Sequence, residues 1–365
     1  MKEKKAKKKV SVAVRIIRIL GGVILVVLLA VAAMFGYLTI TEYKPQDTEP
    51  AEILLDTKTN NLLKEGETYR VLSFNTGYAG LGEESDFFMD GGSSVMIGQE
   101  YVEKNLAGIQ SILKENAPDF YLLQEVDRDS KRSFEVDQAL VYTDELGKNA
   151  SFVLNYFCNY VPYPVPTIGK VSSGLLTMSS ASPIDASRIA LPVPFSWPVR
   201  TANLKRALLV QHYTLEGTDR QLAVINLHLE AYDDGEGKAK QTKQLRELML
   251  AEYEKGNYVI AGGDFNQTFP GAMDVFPIKD SSYWTPGTIE KEMMPEGWTL
   301  QYDTSSPTCR LLNAPAAGGN PQQYFVIDGF ICSPNIRVES VKTLDYGFKY
   351  ADHNPVLLTF SMEQD

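Results

Sequence analysis

From Ile19 to Thr41 the chain runs for 23 residues without a charged side chain, most of them Val, Leu, Ile or Ala. A helix rises 1.5 Å per residue, so a helix of that length crosses a hydrocarbon core of about 30 Å. A globular surface suits the same stretch poorly, because it is apolar on all sides and contains Gly21-Gly22. It is therefore read as a transmembrane helix over 19–41. A cleaved signal peptide is the rival, since Ala30-Val31-Ala32 offers a small-residue cleavage site. Met34, Phe35, Tyr37, Leu38 and Ile40 carry the apolar run past what a signal needs.

Charge supplies the orientation. Residues 1–40 hold eight basic side chains (Lys2, Lys4, Lys5, Lys7, Lys8, Lys9, Arg15, Arg18) and one acid, Glu3, for a net +7. The other 325 residues hold 27 bases and 45 acids, a net of −18. By the positive-inside rule 1–18 is a cytoplasmic segment, and the acidic body crosses the membrane. The expectation is a single-pass cell-membrane protein whose body is extracytoplasmic, and a cleaved signal would put the body outside as well. An acidic body argues against a broad nucleic-acid-binding face, which works by neutralising many phosphates, but it leaves room for a local anion site. Three cysteines, Cys158, Cys309 and Cys332, make neither a disulfide framework nor a zinc knuckle. So few suit a bacterial exported protein. The polar stretch 42–68, with Pro45 and Pro50, reads as a linker, and 69–365 as the folded domain.

Within that domain, short apolar runs repeatedly finish in a polar residue. Tyr69–Phe74 reads as a strand that delivers Asn75, and Phe120–Leu123 as one that delivers Gln124-Glu125. Val102, Leu106, Ile109 and Leu113 mark one face of a helix over 99–115, stopped by Asn116-Ala117-Pro118. Leu222–Leu229 alternates, with Ala223, Ile225, Leu227 and Leu229 on one face and Leu222, Val224, Asn226 and His228 on the other. An amphipathic helix over 238–255 precedes Tyr258–Ala261, which leads into Gly263-Asp264-Phe265-Asn266. Phe325–Ile327 delivers Asp328, and Asp352-His353 precedes a strand over Val356–Phe360. Taken singly, an Asn or Asp at a strand end is a turn former or helix cap. A Glu directly after four apolar residues is less easily dismissed, because an unpaired buried carboxylate is costly. Of the three histidines, His212 reads as a satisfied strand histidine, whereas His228 and His353 fall at the loaded positions.

The ordered set of Asn75, Leu123-Gln124-Glu125, Asn226-x-His228, Gly263-Asp264-x-Asn266, Asp328-Gly329 and Asp352-His353 resembles the endonuclease/exonuclease/phosphatase family from about Val71 to Phe360. The resemblance implies an α/β (α+β) fold, a four-layer sandwich of two packed mixed sheets flanked by helices, here preceded by the N-terminal transmembrane helix. It also implies metal-assisted attack of water on a phosphate ester, with Mg²⁺ as cofactor and Mn²⁺ or Ca²⁺ as alternatives. Glu125 matches the metal-binding Glu, with Asn75 supporting the ion or the phosphate and Asp352 completing the metal site. Asp264 matches the residue that orients water, Asn266 a phosphate or metal-site donor, and His353 the base or phosphate contact oriented by Asp328. His228 matches the extra histidine of the deoxyribonuclease and sphingomyelinase branches, and which histidine is acid and which base stays open. Lys205-Arg206 is a weaker candidate for a substrate phosphate, with a solvated edge pair as the alternative, and Arg310 is weaker still.

Substrate clues lie outside these motifs. The loop Asp86-Phe87-Phe88-Met89-Asp90-Gly91-Gly92 and the Pro/aromatic stretches Tyr156–Pro166 and Pro192–Pro198 offer apolar surface for the rim of a site. The Phe87–Met89 trio either lines a pocket, touches lipid or packs on the body. The preferred reading is a monomeric phosphodiesterase or phosphatase for a lipid headgroup or small phosphoester. The alternatives are an extracellular, membrane-anchored nuclease and a non-catalytic binding module on the same scaffold.

Overall fold

The computed structural model describes residues 11–59, 61–233, 235–319 and 322–363, so the lysine-rich start lies outside the described residues. Two compact units result, Met1–Glu42 and Tyr43–Asp365. The first is a single helix, α1 (Val12–Ile40), whose N-cap Ser11 accepts a hydrogen bond from the Val14 amide. Its 29 residues are long and apolar enough to span a membrane. It begins before Ile19 because Arg15 and Arg18 are good helix formers, so the change in polarity there does not interrupt the backbone.

The second unit contains strands β1 (Thr48–Pro50), β2 (Glu52–Leu55), β3 (Thr68–Asn75), β4 (Phe120–Asp127), β5 (Asn149–Val161), β6 (Gly169–Ser179) and β7 (Asp185–Ala190). These are followed by β8 (Ala207–Thr214), β9 (Gln221–His228), β10 (Tyr258–Asp264), β11 (Thr299–Gln301), β12 (Asp328–Cys332), β13 (Ile336–Thr343) and β14 (Val356–Met362). They form two mixed seven-stranded sheets, ordered β1-β7-β8-β9-β10-β12-β11 and β13-β14-β3-β4-β6-β5-β2. Helices α2 (Gln99–Asn116) and α3 (Gln138–Leu146) belong with the second sheet, and α4 (Glu236–Glu254) with the first.

Three apolar clusters make these layers one body. Between the sheets, Val71, Phe120, Leu122 and Leu358 meet Leu222, Val224, Ile260 and Phe330. Outside the first sheet, Ala223, Ile225 and Leu227 pack on Leu245 and Met249 of α4. Outside the second, Leu72, Phe74 and Leu123 pack on Ile109 and Leu113 of α2 and on Tyr142 of α3. Alternation in β9 thus buries both faces, one toward a helix and one toward the opposite sheet. This is the four-layer sandwich expected from the sequence.

Two readings of local structure change. Residues 42–68 are not a plain linker, since β1 pairs with β7 and β2 with β5, adding an edge strand to each sheet. Pro50 is tolerated there because an edge strand leaves one row of N–H groups unpaired in any case. The strand expected to end at Asp328 instead begins there, while Tyr324-Phe325 forms a separate short pairing with Cys309-Arg310. β12 runs antiparallel to β10, so it is the start of β12 that lies beside the end of β10.

The interior between the sheets also carries a polar tie. Gln124 Nε2 donates to Asn226 Oδ1 at 2.8 Å, and Asn226 Nδ2 donates to the carbonyls of Leu123 and Leu176, each at 3.1 Å. Asn226→Leu is expected to lower unfolding stability by about 2–4 kcal/mol, because it strands several buried partners at once. Urea denaturation of the purified protein measures it, and a loss well under 1 kcal/mol would show the tie to be dispensable.

Candidate active site

Strand register brings the polar residues together. In the first sheet Asp264 lies opposite His228 on one side and opposite Asp328 on the other. In the second, Asn75 lies opposite Gln124, one residue before Glu125. Asn75 then joins the sheets: its Nδ2 is 3.0 Å from Asp264 Oδ2, 3.2 Å from Glu125 Oε1 and 3.5 Å from His353 Nε2. Its Oδ1 accepts from the Gly77 amide, which fixes the amide's orientation.

The backbone around the site is bent to deliver these groups. Glu125 sits at an irregularity in the β4–β6 pairing with φ of 52°, and Asn266 turns just after β10 with φ of 49°. Both are left-handed conformations that non-glycine residues adopt only when the surroundings hold them. Under Glu125, Asp127 is buried and accepts two hydrogen bonds from Arg132, whose guanidinium lies 3.7 Å from the Tyr78 ring centre. Gly77 has a left-handed φ of 50° that strains any other residue, and a Cβ there would also crowd Asp352 Oδ1 at 2.7 Å. Gly263 is equally constrained, since its Cβ would stand 2.0 Å from the Leu227 carbonyl oxygen.

Asp328 Oδ2 and His353 Nδ1 are 2.8 Å apart, and the backbone amide of Asp328 donates to Thr308 Oγ1. Burial opposes a charge on His353, but the Asp328 carboxylate overrides it and holds the imidazole well above its ordinary pKa. His228 goes the other way. Burial, then the charges of Arg206 and His353, push its pKa well below the ordinary value, so it is neutral. Its Nε2 is 3.4 Å from Asp264 Oδ2, and its Nδ1 is buried without a partner. The two histidines thus occupy different charge states, a distinction their sequence positions leave open.

The carboxylates are crowded. Burial and the nearby Asp328 charge push Asp264 up to about 6, and burial and the Glu125 charge push Asp352 up to about 7. Asp352 Oδ1 and Asp328 Oδ1 are buried with no hydrogen-bond partner. Hard, unsatisfied oxygens crowded in this way suit a divalent cation. Oxygen or nitrogen atoms of Asp264, Asp328 and His353 also lie within 4.8 Å of one another.

Other sequence candidates have structural positions. Arg206 is buried behind His228, its Nε 3.1 Å from Glu230 and its Nη1 3.2 Å from the His228 carbonyl. Lys205 is buried and reaches the Arg200 carbonyl. Neither is the solvated edge pair weighed from sequence. Arg310 braces the glycine-rich loop through the carbonyls of Gly82 and Ser85. In the following loop Phe87 packs with Tyr78, Leu81 and Leu312, and the Phe88 ring meets Tyr163 at 5.7 Å. His212 is satisfied by Asp185 at 2.7 Å and Glu252 at 3.2 Å. The sequence reading passed over Thr308 and Glu230, which orient Asp328 and Arg206, and over the Tyr232–Asp90 hydrogen bond at the rim. None lies in a recognisable pattern. Glu230, two residues after His228, was the most accessible.

The architecture recurs in solved structures. An endonuclease/exonuclease/phosphatase from Beutenbergia cavernae DSM 12333 superposes with a TM-score of 0.57 at 16% identity, covering 81% of this chain and 72% of that one. A family protein from Leptotrichia buccalis C-1013-b gives 0.52 at 14% identity, covering 80% and 100%. One from Bacteroides vulgatus gives 0.51 at 15%, covering 81% and 100%. At these identities the likeness concerns the fold alone. No curated protein matches the chain. The sequence model of the Endonuclease/Exonuclease/phosphatase family matches residues 73–353, a span that holds the whole cluster from Asn75 to His353, and the chain belongs to that family.

Proposed function

We propose that the chain is a divalent-metal-dependent phosphoesterase that hydrolyses a lipid headgroup or another small phosphoester, with its catalytic body outside the cytoplasm. The observation that carries this reading is the Asn75 bridge, which holds Glu125 of one sheet and Asp264 of the other on a single amide. Around it stand the parts that hydrolysis of a phosphate ester needs: a proton acceptor for water, donors for the phosphoryl oxygens and a means of stabilising the leaving oxygen. Asp264, with its pKa raised toward neutrality, is suited to orient the water and take its proton. Asn266 stands beside it as a donor of phosphate contacts. His353, kept protonated by Asp328, presents Nε2 as a positive donor to the phosphate. Neutral His228 is suited to exchange a proton without carrying charge into the site. A divalent ion held by Glu125 and Asp352 would offset charge on the phosphoryl oxygens.

Several features favour a small or lipid substrate over a duplex. The body carries a net −18. Met89, Tyr163, Val165 and Trp197 expose apolar surface on loops beyond the strands. Helix α1 supports membrane attachment, and the flanking lysines support a body on the far side. A membrane-anchored nuclease remains the second reading, on family membership alone.

Full-length protein in detergent is expected to hydrolyse bis(p-nitrophenyl) phosphate with Mg²⁺, to lose that activity to EDTA and to regain it with Mg²⁺. Glu125→Ala and His353→Ala should each lower the rate by about 10²–10⁴-fold. Folded variants with wild-type rates would refute the site assignment. In a second measurement, plasmid DNA is set against sphingomyelin and phosphoinositides. Turnover of a lipid is expected, whereas rapid nicking of DNA without it would transfer the assignment to a nuclease.

A further inference from the structure

Lys238 lies in the first turn of α4 and is only 8% exposed. A Cβ built on Gly287 would touch Lys238 Cδ and Gln267 Cγ, each at 3.7 Å, so the lysine stem runs beside the segment that follows Asn266. Its ammonium makes one hydrogen bond, a long one of 3.5 Å to the carbonyl of Ala231. It has no ion-pair partner among the described residues. An ammonium has three donors, and here a single one is weakly engaged.

None of the carboxylates whose charge reaches Lys238 accepts a hydrogen bond from its ammonium. Glu230 accepts from Arg206 at 3.1 Å and from the amides of Ala231 and Tyr232 at 3.0 and 3.1 Å. Asp233 Oδ2 accepts from the amides of Gly235, Gly237 and Lys238 itself, while its Oδ1 is buried and turned away from any donor. Asp264 takes Asn75 and the Asn266 amide. Burial pushes the Lys238 amine below its ordinary pKa, with Asp233 and Glu230 opposing the shift. A buried cation with spare donors is unfavourable in the free protein unless an anion completes it.

The location supplies that anion. Ala231 is three residues beyond His228, and the same segment is tied to the site by Asn266 Nδ2, which donates to the Leu229 carbonyl at 2.8 Å. Gln241, one turn further along α4, accepts from the Glu230 amide at 2.9 Å. The first turn of α4 is therefore fastened to the segment that carries His228. We infer that the Lys238 ammonium is an anion contact of the active site and takes an oxygen of the substrate phosphate group. The inference rests on the phosphoesterase reading for the identity of the anion.

The test measures binding of inorganic phosphate to full-length protein in detergent by calorimetry, for wild type, Lys238→Met and Lys238→Arg, with thermal unfolding alongside. Lys238→Met is expected to weaken phosphate at least tenfold and to raise KM for bis(p-nitrophenyl) phosphate, while its Tm stays equal or rises, because an unpaired buried charge has gone. Lys238→Arg should recover most of the affinity. Unchanged phosphate affinity in Lys238→Met overturns the inference, as does a wild type that binds no phosphate. A fall in Tm with affinity intact in either variant overturns it too, since that identifies a purely structural lysine. If phosphate binds in a Lys238-dependent way but wild type hydrolyses no phosphoester, the anion contact stands and the phosphoesterase reading falls.

Discussion

The site depends on one contact between the sheets, the hydrogen bond from Gln124 to Asn226. Apolar packing between two sheets is strong but non-directional, so it leaves their relative offset weakly determined. A buried amide hydrogen bond is directional, and an altered offset would strand the donors and acceptors it now pairs. Asn226 uses its whole side chain in this way, accepting from Gln124 and donating to the carbonyls of Leu123 and Leu176. Glu125 follows Gln124 directly, and His228 lies two residues beyond Asn226. Fixing that pair therefore fixes which carboxylate of one sheet faces which histidine of the other.

The groups so assembled are poorly compatible in a dry rim. Asp264, Asp328 and Asp352 are all buried, and two of their oxygens lack partners. Two histidines lie among them with pKa values pushed in opposite directions. Glu125 and Asn266 adopt left-handed backbone conformations. The framework around them follows local rules: alternating strands, amphipathic helices, apolar clusters on both sides of each sheet. Such concentration of unfavourable terms in one place is sustained by the surrounding apolar layers and by braces such as the Asp127–Arg132 pair.

Much of this was legible in the chain. The helical spacing of Val102, Leu106, Ile109 and Leu113 located α2, and the alternation in Leu222–Leu229 correctly assigned both faces of β9. Asn75, Glu125, Asp264 and Asp328 stood out at the ends of apolar runs, and the ordered set that also holds His228 and His353 carried the family resemblance. The edge strands β1 and β2 were not legible, since three or four residues in a polar, proline-containing stretch carry no period. The burial of Arg206 and Arg310 was not legible for the same kind of reason. A basic residue in sequence does not show whether its carboxylate or carbonyl partner comes from a segment far along the chain.

The sequence by itself determined the apolar N-terminal helix, the order of most strands and helices, and the residue types available for chemistry, because these follow from local periodicity and from side-chain identity. Only the tertiary structure decided that Asp328 opens its strand, that His353 is charged while His228 is neutral, and that one amide of Asn75 joins the two sheets. Each of those depends on register between segments or on the field of buried neighbours. Neither is defined until the sheets have packed and water has left the space between them.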